Sequence, residues 1–533
     1  MRKNGLHAML WLGRRTANIG KEADMSIAGK NVSGKSSPLM ELAQELGEFV
    51  QKAAKDAIAL RDLERGTFDR LLKMGFTVVE QFLSLQGDGD LGETVSLDDG
   101  QLLYRSAEPH SRPVRTIFGL NQFFAYVYRK RPHPNTPIVF RPIDARMSLS
   151  PARWSHLLEE FTQLFAIEQA FDPAAKAFEQ IFRQQLSVDT LESVNQQMGE
   201  EAGEFLLNLT PPTEEEEGEL LVLTCDGKGV PMVKADADRL RCFEERPQRP
   251  GNRRMATLAG VYSVDKYVRT PEQILEALFR EGHEELVADT PRPAPCHKRV
   301  IACLPRIVEE VDSEKPVTGS ILALSWAADE VRQRRQPKQT LLCLADGQSS
   351  LWSQIELCTE IPATEIVGIL DIIHVVTYVW RAAKVFFHRQ ELQESFARER
   401  MLRILKGEVA SVITGLRRMT TIQGIGSAGQ KEIGTICGYF TTNAHRMQYD
   451  KYLAAGYPIA TGVIEGACRH LVKDRMERSG MRWTVTGAQA MLNLRAVEQA
   501  SSWDDFQQSR LASQNESLKP YRSLIESITS LAG

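Results

Sequence analysis

Three acidic positions in this chain have the residue types and spacing to do chemistry. Asp226 ends the apolar run in LLVLTCDGKG, Asp346 ends the one in LLCLADGQSSLW, and Glu465 lies early in the helix-like TGVIEGACRHLVKDRMERSGMRW. Two strand-end carboxylates and one on a helix can converge at one edge of a mixed sheet. There divalent cations would hold a phosphodiester between an attacking and a leaving oxygen, so the expected chemistry is metal-dependent phosphoryl transfer. Each position also has a plainer role. Asp-Gly after a strand is a common turn, and a glutamate near a helix start is favoured by the macrodipole and can pair with Arg469 at i,i+4. Two leucine-rich, buried strands that both end in a carboxylate favour a shared role, because such a group is costly unless paired or metal-bound.

The elements that must position these groups alternate along the chain. Residues 1–37 are polar and read as a flexible leader. Pro38 to Leu72 shows helical periodicity through Leu39, Leu42, Leu46 and Val50. Residues 90–145 alternate apolar and polar positions around Gly119, as a small β-rich module does. Arg112, Arg115, Arg129, Lys130 and Arg131, interleaved with Phe123, Tyr126 and Tyr128, could grip phosphates there, or the aromatic positions could simply be core. Residues 151–208 return to helices, with a turn at Gln185 to Ser187. Asp189 and Glu192 on the second helix suit a plain helical hairpin at least as well as a DNA-recognition unit. The acidic PPTEEEEGE at 211–219 marks a boundary. LLVLTC, ATLAGVYSV, RVIAC, TLLCLA and IVGIL then form an α/β core over 219–374, and 375–455 reads as helical. The separation of Asp346 from Glu465 (465 − 346 = 119) far exceeds a compact sheet-to-helix connection, so a helical insertion is expected between them.

Composition bounds the function classes. A chain of 533 residues predicts several domains, and a formal charge of -4 argues against a generally cationic DNA-coating protein, so any nucleic-acid contact must come from local basic patches. Eight dispersed cysteines without a CxxC pair support neither a zinc ribbon nor a disulfide framework, and fit a reducing cytoplasm. No apolar run is long enough to cross a bilayer.

The order of VLTCDGKGVPM, LCLADGQSSLW, ILDIIHVVTYVW and GYPIATGVIEGACRHLVKDRMERSGMRW resembles bacterial insertion-sequence transposases of the ISKra type, over roughly residues 110 to 500. The resemblance implies an α/β ribonuclease H-like core in two parts (219–374 and 456–500) around a helical insertion (375–455). A mainly helical and β-rich N-terminal region for DNA binding and assembly (38–210) precedes it, and a C-terminal tail (501–533) follows. It implies DNA strand cleavage and transfer at element ends with Mg2+, or Mn2+ as substitute, held by Asp226, Asp346 and Glu465. Asp371 and His374 are the alternative or auxiliary acid site, since Asp371 also ends an apolar strand. Its implied partners are terminal inverted repeats, target DNA and further copies of the chain, in a cytoplasmic, nucleoid-associated setting. Arg469, Arg475, Arg478, Arg482 and Trp483 are the expected DNA contacts around the third acid. Arg249, Arg253 and Arg254 form a second candidate phosphate patch.

Two other readings compete. A catalytically inactive transposase-derived DNA-binding protein would keep the fold without strand transfer. Gly29 to Ser36, GKNVSGKS, fits the phosphate-loop pattern of a nucleotide hydrolase, although only the short MSIA precedes it and Pro38 follows closely.

Overall fold

The apolar runs that the sequence marks as strands assemble into one five-stranded mixed sheet in a computed structural model, which describes residues 37–241, 251–279, 292–310, 313–360, 365–478 and 480–528. The chain divides into two compact units, Met1–Phe82 and Leu83–Gly533. In the first, α1 (Pro38–Lys55) and α2 (starting at Leu60) replace the single periodic stretch expected. Their contact is local: the Arg70 guanidinium lies 3.7 Å from the Phe49 ring centroid, and Lys73 sits 3.5 Å from Glu45.

The second unit begins with short strands β1 (Thr94–Ser96), β2 (Leu102–Arg105), β3 (His110–Thr116), β4 (Gly119–Ala125), β5 (Tyr128–Arg129) and β6 (Ile138–Phe140). After α3 (Pro142–Arg146) come α4 (His156–Glu168), α5 (Phe171–Phe182) and α6 (Val188–Leu207). Next are β7 (Leu220–Pro231), α7 (Lys234–Leu240), β8 (Arg253–Val264), α8 (Pro271–Phe279) and β9 (Cys296–Cys303). The ribbon β10 (Arg306–Glu310) and β11 (Ser313–Val317) leads to α9 (Gly319–Arg334), β12 (Thr340–Ala345), α10 (Ser349–Thr359) and β13 (Val367–Leu370). The sheet order is β13-β12-β7-β8-β9, with β12 and β13 parallel to β7 and the β7, β8, β9 pairs antiparallel.

Both faces of this sheet need cover, because β7 and β12 are apolar at successive positions and side chains alternate between faces. Leu221, Leu223, Leu341 and Cys343 belong to one cluster, with residues of α6, α9 and α10 and of the C-terminal helices α18 (Val485–Gln499) and α19 (Trp503–Ser517). Leu220, Val222, Leu342 and Leu344 belong to another, with α11 (Ile372–Phe386), α12 (Gln390–Leu405), α13 (Val409–Ile422), α14 (Ser427–Asn443) and α15 (Tyr449–Ala454). The helical stretch expected as an insertion is therefore the layer that closes one face of the sheet. On the other face α6 and α18 pack so closely that a Cβ on Gly199 would lie 2.4 Å from that of Ala490.

The segment expected as a C-terminal tail is structural. Arg510 in α19 is buried and pairs with Glu159 of α4 at 2.9 Å and with Glu201 of α6. Tyr521, just before α20 (Arg522–Glu526), stacks on Phe140 of the β-rich module at 4.5 Å. Among the described residues no helix is long and apolar enough to cross a membrane.

Candidate active site

Strand register places three carboxylates level. The last β7 to β12 pair is Thr224 with Leu344, so two residues further Asp226 stands opposite Asp346. The last β12 to β13 pair is Ala345 with Leu370, so the next position sets Asp346 opposite Asp371. Neighbouring strands lie about 4.8 Å apart, which brings three acids from distant parts of the chain to one sheet edge. Glu465 comes to the same place on α16 (Gly462–Ala467).

Each side chain is held differently. Asp226 accepts the Gly227 N–H at 2.6 Å through Oδ1, and its Oδ2 lies 3.3 Å from Cys468 Sγ. Burial and the Asp226 charge hold Cys468 well above the usual thiol range, so it stays protonated and donates. Asp346 Oδ1 accepts the Gln348 N–H at 3.1 Å, an Asx turn that starts α10. The adjoining Gly347 N–H donates to the Tyr439 hydroxyl at 3.2 Å, and a Cβ on Gly347 would meet that ring at 2.4 Å, so only glycine fits there. Burial, then the Asp226 and Asp371 charges, raises the Asp346 carboxyl, against the Gln348 amide and His374.

Asp371 is fully buried and engaged through both oxygens. Its Oδ1 accepts N–H bonds from Thr461 at 3.1 Å and Ile373 at 3.3 Å, while Oδ2 lies 2.9 Å from His374 Nδ1. The backbone adds Ile372 N–H to Ile459 O at 3.0 Å. The residue thus caps α11 and clamps the start of the helical layer to the segment that leads into α16. His374 is raised from the ordinary histidine range, first by its hydrogen bond to Asp371 and then by the Asp371, Asp346 and Asp226 charges, with burial opposing. Glu465 is raised by burial and by the Asp371 and Asp226 charges, with His374 opposing. Four carboxylates and one imidazole from four elements therefore share one electrostatic neighbourhood. Among the described residues no three such side chains already converge tightly enough to enclose a cation.

Directly after Glu465 the helix widens into a π turn, Cys468–Lys473, then resumes as α17 (Asp474–Met476). Such turns concentrate at functional sites because they shift the helix faces by one residue. Here Cys468 faces Asp226 while Leu471, Val472 and Met476 stay in the core.

The expected DNA contacts separate into two groups. Arg469, Arg478 and Arg482 are exposed; Arg469 lies 3.8 Å from Asp474, and Arg478 and Arg482 donate to backbone carbonyls. Arg253 is exposed and pairs with Glu477 at 2.6 Å. Arg475, Arg254 and Trp483 correct the expectation. Arg475 is fully buried between Phe171 and Trp483, donates to Ala166 O at 2.7 Å, and burial lowers it to about 9. Arg254 is buried and donates to the carbonyls of Ala237 and Gly251, and the Trp483 indole N–H donates to Met476 O at 3.2 Å. Among the arginines of the β-rich module, Arg112 and Arg129 are likewise buried, Arg112 against Asp144 at 2.8 Å, whereas Lys130 and Arg131 are exposed. Arg249 and the GKNVSGKS stretch lie outside the described residues.

Sequence reasoning missed Cys468, Tyr439 and Thr461. Cys468 was within reach, being three residues after Glu465 on a helix and hence on a neighbouring face. Tyr439 and Thr461 had no local signal. No protein-family model and no curated protein matches the chain.

Proposed function

We propose that the protein is a DNA strand-transfer enzyme, a transposase of the Asp-Asp-Glu kind on a ribonuclease H-like core, with Asp226, Asp346 and Glu465 as its metal-binding acids. One observation carries the reading: strand register sets Asp226 opposite Asp346, and the Asp226 charge acts on both Asp346 and Glu465, although more than a hundred residues separate each acid from the next. The mixed sheet, with Asp226 inside β7 beside the point where the parallel β12 ends at Asp346, and the helical layer between Asp346 and Glu465 support the same reading.

Oxygen donors of this kind suit Mg2+, with Mn2+ as a substitute. Bound by these carboxylates, such ions would supply an acidified water or DNA 3′-hydroxyl and neutralise the leaving oxygen. The raised carboxyls of Asp346 and Glu465 fit a site that takes cations, because a cation favours the ionised form that burial, and then the neighbouring carboxylates, disfavour. Asp346 is the second acid in preference to Asp371, since Asp371 spends its oxygens on Thr461, Ile373 and His374. Asp371 positions α16, and its histidine partner keeps a proton beside the acids. Arg469, Arg478 and Arg482 are the exposed cations placed to meet DNA phosphates near Glu465. Two element ends must be brought together, so the active form on DNA is an oligomer.

The experiment is Mg2+-dependent cleavage of labelled duplexes that carry the sequences bordering the coding region. Asp226→Asn, Asp346→Asn and Glu465→Gln should each lower cleavage by roughly 10³-fold, the worth of about 4 kcal/mol of charge stabilisation. Cleavage at the wild-type rate by any two of them would overturn the assignment. Salt-sensitive DNA binding without cleavage by any variant or by the wild type would mark a relic that keeps only the fold.

A further inference from the structure

Behind the acidic edge, on the other flank of α16, lies a cavity of about 600 Å³. That is the size of a small-molecule site. Arg269, Arg292, Lys298 and His470 line it, with Tyr262 and Tyr267 in the wall and Asp265 as its acidic group. The placement is built. The chain after β8 pairs with the turn after α15 through Tyr267 N–H to Gly456 O at 2.9 Å. Gly456 has φ +77°, and a Cβ there would meet Tyr267 N at 2.7 Å. The Arg269 guanidinium is oriented by donating through Nε to Tyr267 O at 3.2 Å and through Nη2 to Tyr457 O, and burial together with the neighbouring Arg292 charge lowers it to about 10. The Asp265 carboxylate already accepts the Glu219 N–H at 3.2 Å. Two guanidiniums facing one cavity repel each other unless an anion lies between them.

The helix leaves room for an occupant. Gly462 and Gly466, one turn apart on α16, line the same cavity, and a Cβ at either would meet nothing within 4 Å. A glycine inside a helix costs about 1 kcal/mol relative to alanine, so Gly466 holds the wall open at some expense in stability.

We propose that this cavity is a second nucleic-acid subsite, which takes a phosphate-bearing nucleotide of the DNA strand that passes the acidic edge. This rests on the DNA-processing reading of that edge. The cations hold the phosphate, Tyr267 offers a ring to the base or sugar, and α16 presents Glu465 to one side and the cavity to the other. Free nucleotides share this chemistry, and the experiment separates the two sources.

Binding of a 5′-fluorescein single-stranded oligonucleotide is followed by fluorescence anisotropy over a range of salt, for the full chain and for Lys298→Gln, Arg292→Gln and Gly466→Leu. The two charge variants should each reduce the salt slope by about 0.7, the value for one phosphate contact on a single strand. Gly466→Leu, which fills the cavity from a helix position with open space, should weaken binding about 10-fold while its thermal melt stays at the wild-type temperature. Wild-type affinity and slope in all three variants would overturn the proposal. So would equal affinity for deoxyadenosine monophosphate and the oligonucleotide, which would make this a free-nucleotide site. The underlying reading fails separately: if wild type binds the oligonucleotide through Lys298 and Arg292 yet cleaves no DNA with Mg2+, the subsite stands and the strand-transfer assignment falls.

Discussion

At the scale of single residues, the acidic edge is held together by unlike commitments of similar groups. Asp346 and Glu465 carry raised carboxyls, so the folded state binds their protons more readily than the unfolded chain does. Their effect on stability therefore runs downhill as pH rises from the ordinary carboxylate range through the raised values. Asp346→Asn should accordingly raise the melting temperature in EDTA at neutral pH, by about 1 °C in a chain of this size, and, if the proposed metal role holds, should lack the Mg2+-induced rise expected of wild type. His374 runs in the same direction in a higher pH window, as a stabilising contact that is lost rather than a cost that appears. Its folded pKa is raised, so its stabilising partnership with Asp371 is fully present below the ordinary histidine range and fades as pH rises through the raised value. Melting curves of wild type and His374→Gln should thus differ at acidic pH and converge at alkaline pH; a constant gap would deny the ion pair. Asp346 at a strand end and Glu465 at a helix start were local signals in the sequence, whereas the expected strand end at Asp226 lies inside β7, where Asp226 pairs with Leu258. The burial of Arg475, Arg254 and Trp483 was not legible, because a cation between two aromatic rings reads like any exposed arginine in a helical stretch.

At the scale of elements, strands and most helices followed from period and punctuation, whereas their partners did not. The run LLVLTC announces a strand buried on both faces, yet nothing local says that α6 from the N-terminal half and α18 from the C-terminal end share one of those faces. Their close approach gives a test. Gly199→Ala forces a methyl against Ala490 and should cost about 1–3 kcal/mol in urea unfolding, where an ordinary exposed helix position would gain stability from the same change. The π turn ties two sites in the same way. A one-residue deletion inside Cys468–Lys473 would restore regular helix but turn either Glu465 or buried Arg475 by about 100°. Loss of cleavage with a retained helical spectrum is expected from it.

At the scale of the whole molecule, the linear order of segments misled most. The stretch after residue 500 read as a tail because it is polar and short of apolar periodicity, but α19 and α20 lock α4, α6 and the β-rich module together through Arg510 and Tyr521. Arg510→Ala leaves Glu159 buried without its main partner and should cost about 3–5 kcal/mol, measured by denaturant unfolding, whereas a true tail residue would cost nothing. The central strand has a consequence for synthesis. β8 follows β7 after only the short α7 and closes one of its edges, but β12 emerges from the ribosome only after α9. At typical translation speeds the other flank of LLVLTC waits roughly 5–20 s for its neighbour. During that wait the nascent chain carries an open, leucine-rich ribbon that any second ribosome product could join, so truncations ending before Thr340 should collect in the insoluble fraction while the full chain does not.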